Sequence, residues 1–315
     1  MEKSQEIRSR IKSISGTRKI TKAMEMIASS KIRKAQRRIL EARAFVSGIE
    51  GVIVDIARHS KTITDPLLAV HEGDNTVLVV GITADRGLCG GYNSNIIRLT
   101  EKTIKQNRDK GRDVRLDIAG TRGRNYFRYM GYKIDNVYEN LSDYPKFLDA
   151  REISREIIRR YISGEVDRVI ICYTKFKNPA EQVPSRLQLL PLEFIDSGIH
   201  LLEDELPAIQ NKKTDLLENA GVSKSDEEFL YDPSQDEVLS AILPEYIYTI
   251  VYGALLESTA SETGARMTAM KSASDNAEDM IKELVLLYHR ARQQQITMEI
   301  AEIVSGANAL SEGIG

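Results

Sequence analysis

Apolar residues in the first fifth of the chain recur at the spacing of one helix face. Ile7, Ile11 and Ile14 stand four and three apart, Ser15, Gly16 and Thr17 break the pattern, and Ile20, Met24 and Ile27 resume it. From Ile32 it runs without interruption through Ala35, Ile39, Ala42, Val46, Ile49, Ile53 and Ile56. A repeat held over more than three heptads predicts a coiled-coil seam, here over roughly Ser4 to Ile56, rather than the stripe of a short surface helix. Asp65-Pro66 closes this element.

The period changes at Thr76. Thr76–Ile82 reads as a buried strand, followed by the glycine-rich turn Asp85-Arg86-Gly87-Leu88-Cys89-Gly90-Gly91-Tyr92-Asn93 and a helix over Asn95–Arg108. Val114–Ala119, Lys133–Tyr138, Arg168–Phe176 and Arg186–Ile195 read as further strands, and Gly123–Met130 and Ala150–Ser163 as helices. Strands alternating with helices of this length predict a Rossmann-like α/β domain with a largely parallel sheet, over 75–196. Residues 197–237 are acidic and irregular, with a short helix expected near Asp215–Asn219 and turns at Gly221 and Asp232-Pro233.

A second long helix is expected over 238–315, its clearest part being Glu245–Leu310, which contains no proline. At about 1.5 Å per residue such a helix would span on the order of 100 Å, more than a compact domain needs. Its seam reads Met270, Ala273, Ala277, Met280, Leu284, Leu287 and Ala291, then a five-residue step to Ile296, Ile300, Ile303, Ala307 and Leu310, a local phase shift. Pro244 belongs in the first turn or at a kink. The fold class expected is therefore α/β: a long antiparallel coiled coil of N- and C-terminal helices (1–58 and 238–315) plus the central domain. Antiparallel pairing would match Ser4–Ile56 with roughly Glu245–Thr297 and leave 298–310 beyond its partner, an apolar tip that asks for a socket.

Charge sharpens this picture. Residues 1–43 hold thirteen Lys and Arg against four Glu, a net +9 in a chain whose total is −2. A basic helix implies an acidic partner, whether phosphate, lipid headgroup or carboxylate. Nucleic acid is disfavoured because no aromatic precedes Phe45 and no base-reading module accompanies the helix; a membrane surface is disfavoured because the chain has no Trp. Contact with acidic protein loops, or a merely solvated face, remains. No run approaches the length of a membrane span, and no signal peptide opens the chain, so no direct membrane insertion is expected. Cys89 and Cys172 read as unpaired buried thiols, and His59, His71, His200 and His289 share no ligand spacing, so no metal site is expected.

An enzyme would live in the glycine-rich turn, which follows a strand and precedes a helix. Its spacing is neither G-x-G-x-x-G nor a phosphate-binding G-x-x-x-x-G-K-[ST], so Asp85, Arg86, Gly87, Gly90 and Gly91 are assigned to a structural turn, with no cofactor and no catalytic residue.

Four blocks then resemble a known family, the gamma subunits of F-type ATP synthases: Ile20 to Lys31, Asp85 to Asn93, Ala265 to Ala277, and Tyr288 to Ile300 with Ile303 to Ala307. The resemblance implies a non-catalytic central-stalk rotor that couples ion flow through the membrane sector to ATP synthesis or hydrolysis. Its expected partners are three alpha and three beta subunits, an epsilon subunit and the membrane c-ring, at the cytoplasmic face of the cell membrane. It further implies that Met24, Arg266, Arg292, Gln293, Thr297 and Glu299 contact loops of the beta subunits, where arginine forks suit carboxylates. The chain lacks the cysteine pair of chloroplast relatives, so their thiol regulation is not expected. The basic helix alone leaves an alternative, a coiled-coil adaptor or nucleic-acid-binding protein.

Overall fold

The computed structural model describes residues 2–59, 65–71, 73, 75–141, 144–195, 198–200 and 235–312. The short helix and turns expected between 201 and 234 lie outside the described residues. The elements are α1 (Glu2–His59), β1 (Thr76–Ile82), α2 (Tyr92–Asp109), β2 (Asp113–Ala119), α3 (Thr121–Tyr129), β3 (Asn136–Tyr138), α4 (Phe147–Ile162), β4 (Arg168–Asn178), β5 (Glu181–Leu190), β6 (Glu193–Ile195), β7 (Gly198–His200) and α5 (Gln235–Glu312). The chain divides into two compact units, Met1–Ala28 with Arg266–Gly315, and Ser29–Ala265.

In the larger unit the sheet order is β3-β2-β1-β4-β5. The first four strands are parallel, and β5 returns antiparallel to β4. That hairpin differs from expectation, which placed one last strand at Arg186–Ile195. Asn178 makes the reversal, its side-chain carbonyl accepting from the Ala180 and Glu181 amides at 2.9 Å each. Pro184 is tolerated in β5 because an edge strand has one unpaired side.

Two apolar layers sandwich the sheet. One holds Val77, Val79, Ile96, Ile104, Leu116, Ile118 and Phe127 under α2 and α3. The other packs Leu78, Val80, Ile171 and Leu189 with Ile153, Ile157 and Tyr161 of α4, Ile53 and Ile56 of α1, and Leu239, Leu243, Tyr246, Ile247 and Ile250 of α5. Ile53 and Ile56 are fully buried, worth about 1.5–3 kcal/mol each. The seam expected from Ile32 onward is thus the face that α1 buries.

A buried ion cluster crosses this core. Arg160 of α4 bonds Asp117 of β2 at 3.3 Å, Asp135 at 2.7 Å and Glu165 at 3.0 Å, with Arg160 and Asp117 both buried. Burial pushes the Asp117 carboxyl upward against the Asn136 and Arg160 contacts that lower it. Burial would lower Arg160, but the surrounding carboxylates outweigh it and raise it.

The helix α5 opens earlier than the expected start near residue 238, so Pro244 falls inside it rather than in its first turn. An interior proline costs about 3 kcal/mol, offset here by burying Leu239, Leu243, Tyr246 and Ile247 around it. This same stretch corrects a sequence expectation: Glu237–Gly306 does contain a window long and apolar enough to span a membrane, by length and composition. More than half of that window is buried, which makes it a core helix of the larger unit.

In the smaller unit the N-terminal part of α1 pairs with the C-terminal part of α5. Ser4 Oγ donates to Gln295 Oε1 at 3.1 Å, and Arg18 meets Glu278 at 3.1 Å. Partner numbers fall as α1 numbers rise, so the segments run antiparallel, as expected; Ser4 meets Gln295 two residues from the expected register and Arg18 meets Glu278 five residues from it.

Two details of the seams are corrected. On α1, Thr21 and Ala28 are buried while Ile20 and Ile27 are 63% and 58% exposed. No break occurs at Gly16, since a glycine costs a helix interior only about 1 kcal/mol and α1 runs through it. The seven-residue phase set by Ile32 therefore continues back through Ala28 and Thr21, and the Thr21 hydroxyl is satisfied by donating to the Arg18 carbonyl at 3.0 Å. On α5, Met280 and Leu287 are exposed, whereas Ile281, Leu284, Val285, Tyr288, Ala291 and Gln295 are half-buried. The inward positions 270, 274, 277, 281, 284, 288, 291 and 295 keep an unbroken four-three spacing. No phase shift is needed, because inward positions follow the contact face and not the hydrophobicity of single residues.

Candidate functional site

The glycine-rich turn sits where doubly wound sheets place ligands, beyond the carboxyl ends of β1 and β4, on whose two sides the strand order diverges. Its residues are engaged locally. Asp85 Oδ1 accepts from Thr121 N at 3.0 Å and Thr121 Oγ1 at 3.1 Å, capping α3, whose N-cap Gly120 has no side chain to do so. Gly120 has φ +97°, and a Cβ there would lie 2.2 Å from the Thr83 carbonyl oxygen. Asn93 Oδ1 accepts from Ala84 N at 2.9 Å, and its amide reaches Cys89 Sγ at 3.1 Å and the Arg86 carbonyl at 3.5 Å. Gly87 lies against the Arg122 guanidinium, Gly90 takes φ +55°, and Gly91 accepts from Asn95 N as α2 starts.

What fills the crevice is α5. Ser258 Oγ accepts from Thr174 N at 3.4 Å, Ser261 Oγ donates to the Thr174 carbonyl at 3.1 Å, and Ala265 packs on Ala84, Cys89 and Tyr92. The void left between Thr83, Tyr92, Ser258, Thr259 and Glu262 measures about 10 Å³. That is room for one water and none for a nucleotide. Tyr92 is held neutral: burial raises its hydroxyl most, and the Glu262 charge beside it adds to the effect. Sequence reasoning missed Asn93 and Glu262. Asn93 works inside its own turn, bonding residues four to nine positions away, whereas the place of Glu262 beside Tyr92 depends on α5 meeting that turn, and neither carries a spacing signal.

Cys172 is buried, and burial pushes its thiol up to about 11, against the Thr103 and Thr100 contacts. It is no nucleophile. Among the described residues no group of three or more His, Cys, Asp or Glu side chains could hold a metal. A cavity of about 670 Å³ is an open groove between β3 and α4 lined by Arg151, Glu152, Arg155, Glu156 and Arg159. Its Arg159–Glu156 pair closes at 2.6 Å.

The six residues assigned to beta-subunit loops all fall in the smaller unit. Met24 and Arg266 are half-buried; Arg292, Gln293, Thr297 and Glu299 are exposed. Thr297 Oγ1 donates to the Gln293 carbonyl at 2.9 Å, and Gln295 Nε2 donates to Glu299 Oε1 at 2.9 Å. Two of the six are therefore tied to their own helix, while the Arg292 guanidinium has no hydrogen bond or ion pair among the described residues. Past the last pair at Gln295, the helix exposes Ile296, Met298, Ile300, Ile303 and Val304, from 44% to 71% each.

A sequence model of the ATP synthase family matches residues 3–310. An ATP synthase gamma chain of Heliobacterium modesticaldum is 42% identical over 97% of this chain and 98% of its own. One of Desulfitobacterium hafniense is 39% identical over 98% and 100%. Among solved structures, a chain of the Euglena gracilis mitochondrial ATP synthase OSCP/F1/c-ring assembly matches with a TM-score of 0.62 at 16% identity, covering 99% of this chain and 96% of that one. A chain of the Tetrahymena thermophila mitochondrial ATP synthase central stalk and c-ring matches with a TM-score of 0.55 at 24% identity, covering 81% and 99%. With full-length identity to curated relatives well above chance, and with a fold shared by rotary-motor structures, the chain belongs to the ATP synthase gamma chain family.

Proposed function

We propose that this chain is the central-stalk rotor of an F-type ATP synthase, coupling ion flow through the membrane sector to ATP synthesis or hydrolysis at the beta subunits. It works in a membrane-associated complex, and we place it at the cytoplasmic face of the cell membrane. Besides family membership, the observation that carries the reading is the apolar helix end from Ile296 to Val304, left without a partner by the antiparallel pair. Exposed apolar surface of that kind marks an interaction site, and a head of three alpha and three beta subunits supplies a sleeve. The chain's part is mechanical. No step of bond making is routed through it: the crevice where a nucleotide would bind is plugged by α5, and the chemistry belongs to beta. A paired shaft transmits torque because its two helices are fastened along their length, and an off-axis shaft presses differently on each beta subunit as it turns.

Arg292 supports a role at the head, being an exposed guanidinium with no hydrogen bond or ion pair among the described residues and suited to a bidentate carboxylate contact. Arg266, Met24, Gln293, Thr297 and Glu299 complete the proposed contact set with beta loops. Epsilon and the c-ring are the proposed partners of the larger unit.

The adaptor or nucleic-acid alternative is disfavoured by the family match over nearly the whole chain, and five cations of α1 are engaged within the chain. Arg18 and Arg43 pair with Glu278 and Glu257 of α5, Lys22 with Glu25, Arg10 with Glu6, and Arg38 lies 3.5 Å over the Tyr144 ring. Co-expression with alpha and beta subunits should yield a stable complex with ATPase activity; absence of any complex sinks the reading. Ile300→Asp with Ile303→Asp should leave thermal unfolding of the isolated chain unchanged while reducing assembly or coupling by tenfold or more. Wild-type assembly and coupling in that variant would show that the tip sits in no sleeve.

A further inference from the structure

Within the larger unit, two successive stretches of α5 are held by different means. From Leu239 to Leu255 the inward side chains are apolar, Leu243, Ile247 and Val251 among them, and join the layer that α1 and α4 build on the sheet. From Ser258 to Thr263 the buried side chains are polar: Ser258, Ser261, Glu262 and Thr263 are each 5% exposed or less. Apolar contact is non-directional and leaves a helix able to creep along or about its axis. A hydrogen bond fixes both distance and angle.

The polar stretch has its cause in the sheet. β1 ends at Ile82 and its last partner on β4 is Cys172, so Thr174, two residues further, has no strand on that side. On its other side it faces Pro184 of β5, which has no amide to give. The Thr174 amide and carbonyl are therefore left over from the ladder, and buried backbone groups must find partners. One turn of α5 supplies both: the amide donates to Ser258 Oγ at 3.4 Å, and Ser261 Oγ donates to the carbonyl at 3.1 Å. Three residues apart, the serines share a helix face. The Tyr92 hydroxyl, at the start of α2, also reaches Ser258.

One turn on, Gly264 lets the helix close on the β4–β5 turn. A Cβ there would lie 3.3 Å from the Pro179 carbonyl oxygen and 3.2 Å from Gln182 Nε2, which itself donates to that oxygen at 2.8 Å. Neighbouring hydroxyls of the stretch act within the helix: Thr259 donates to the Leu255 carbonyl at 2.9 Å and Thr263 to the Thr259 carbonyl at 2.8 Å. The two serines reach across to the sheet instead. They stand within the last two turns before the unit ends at Ala265, beyond which the helix continues to Glu312.

We propose that Ser258 and Ser261 are positioning residues of the rotor: by fastening α5 to the end of β4 they make the α/β domain and the helix that leaves it turn as one body under load. This rests on the rotor reading above and names the residues through which torque passes between domain and shaft.

The test uses the whole complex, reconstituted in vesicles with head subunits, epsilon and membrane sector. Ser258→Ala with Ser261→Ala should assemble and, with no opposing ion gradient, hydrolyse ATP within twofold of the wild-type rate, because an unloaded shaft carries little torque. Ions pumped per ATP should fall at least threefold under an opposing gradient, the deficit growing as the gradient is raised. Thr259→Ala with Thr263→Ala removes two hydroxyls from the same stretch and should keep the wild-type ratio at every gradient. Ser258→Thr, whose hydroxyl remains and whose methyl can use the water-sized void beside it, should keep it too. A wild-type ratio under load in the double serine variant would overturn the assignment. So would an equal deficit in the threonine pair, which would make helix stability and not fastening the cause. Where the double serine variant does not assemble, Ser258→Ala alone, which leaves the Ser261 bond in place, is read by the same ratio, and a wild-type value under load again overturns the assignment. Failure of the unaltered chain to assemble with alpha and beta would instead bring down the rotor reading itself.

Discussion

The two units of this chain solve the burial problem in opposite ways. The larger one closes two apolar layers on a five-stranded sheet, and side chains such as Ile53, Leu78, Tyr161 and Tyr246 are fully buried. The smaller one is a pair of helices, in which a residue can be covered on one side only. There, most inward positions are half-buried, and the fully covered ones are small or flexible: Thr21, Ala28, Met270, Ser274 and Ala277. The contrast teaches how each unit responds to damage. A layered core concentrates stability in a few positions, whereas a two-helix seam spreads it thinly along its length.

The largest test of that contrast is Arg160→Ala. It strands Asp117, 0% exposed, with a buried carboxylate that has lost its main cation, and should cost about 3–5 kcal/mol by denaturant unfolding. A loss under 1 kcal/mol would mean that the cluster is not desolvated as drawn. Ile53→Ala in the same unit should cost about 2–5 kcal/mol through cavity formation.

A smaller effect separates the seam from its neighbours. Ile281→Ala should cost about 1–2 kcal/mol, partial burial scaling down the usual loss, while Met280→Ala, at an exposed site, stays within about 0.5 kcal/mol. Equal losses would restore the phase-shifted seam. Smaller again are the ion pairs linking the long helices: Arg18→Ala and Arg43→Ala should each cost about 0.2–1 kcal/mol and less at high salt, since both arginines are largely exposed.

Acid offers a comparison inside the larger unit. Burial works to raise Asp167, but amide bonds from Thr76 and Asn75 and the His71 contact outweigh it and hold the carboxyl below its usual range. A depressed folded value contributes stability above the unfolded value of about 4, lost as pH falls through the folded one. Asp117, raised by burial, has the opposite sign and favours the folded state on acidification. Asp167→Asn should therefore flatten the loss of stability below about pH 4, measured by thermal unfolding against pH. An unchanged acid limb would remove Asp167 from the account.

Much of this was written plainly in the chain. Eight apolar positions from Ile32 to Ile56 gave the inner face of α1, and the runs at Thr76–Ile82 and Val114–Ala119 became strands within a residue of their expected bounds. The antiparallel direction followed from helix lengths, while the register they imply is off by two residues at Ser4 and five at Arg18. The turn from Asp85 to Asn93 was legible as a turn because its glycine spacing fits no phosphate motif, while its work of capping α3 and seating α5 was not, since both depend on segments 36 or more residues away.

The sequence by itself determined periodicity: which stretches are helix, which are strand, and that one helix outruns its partner. These are local properties, set by backbone geometry and side-chain spacing. Only the tertiary structure decided which of two adjacent residues faces inward. Hydrophobicity favoured Ile20, Ile27, Met280 and Leu287, but the covered positions are Thr21, Ala28, Ile281 and Tyr288. A close helix pair admits a side chain by its direction and size, and the phase fixed by packing at Ile32 and Met270 carries along the rest.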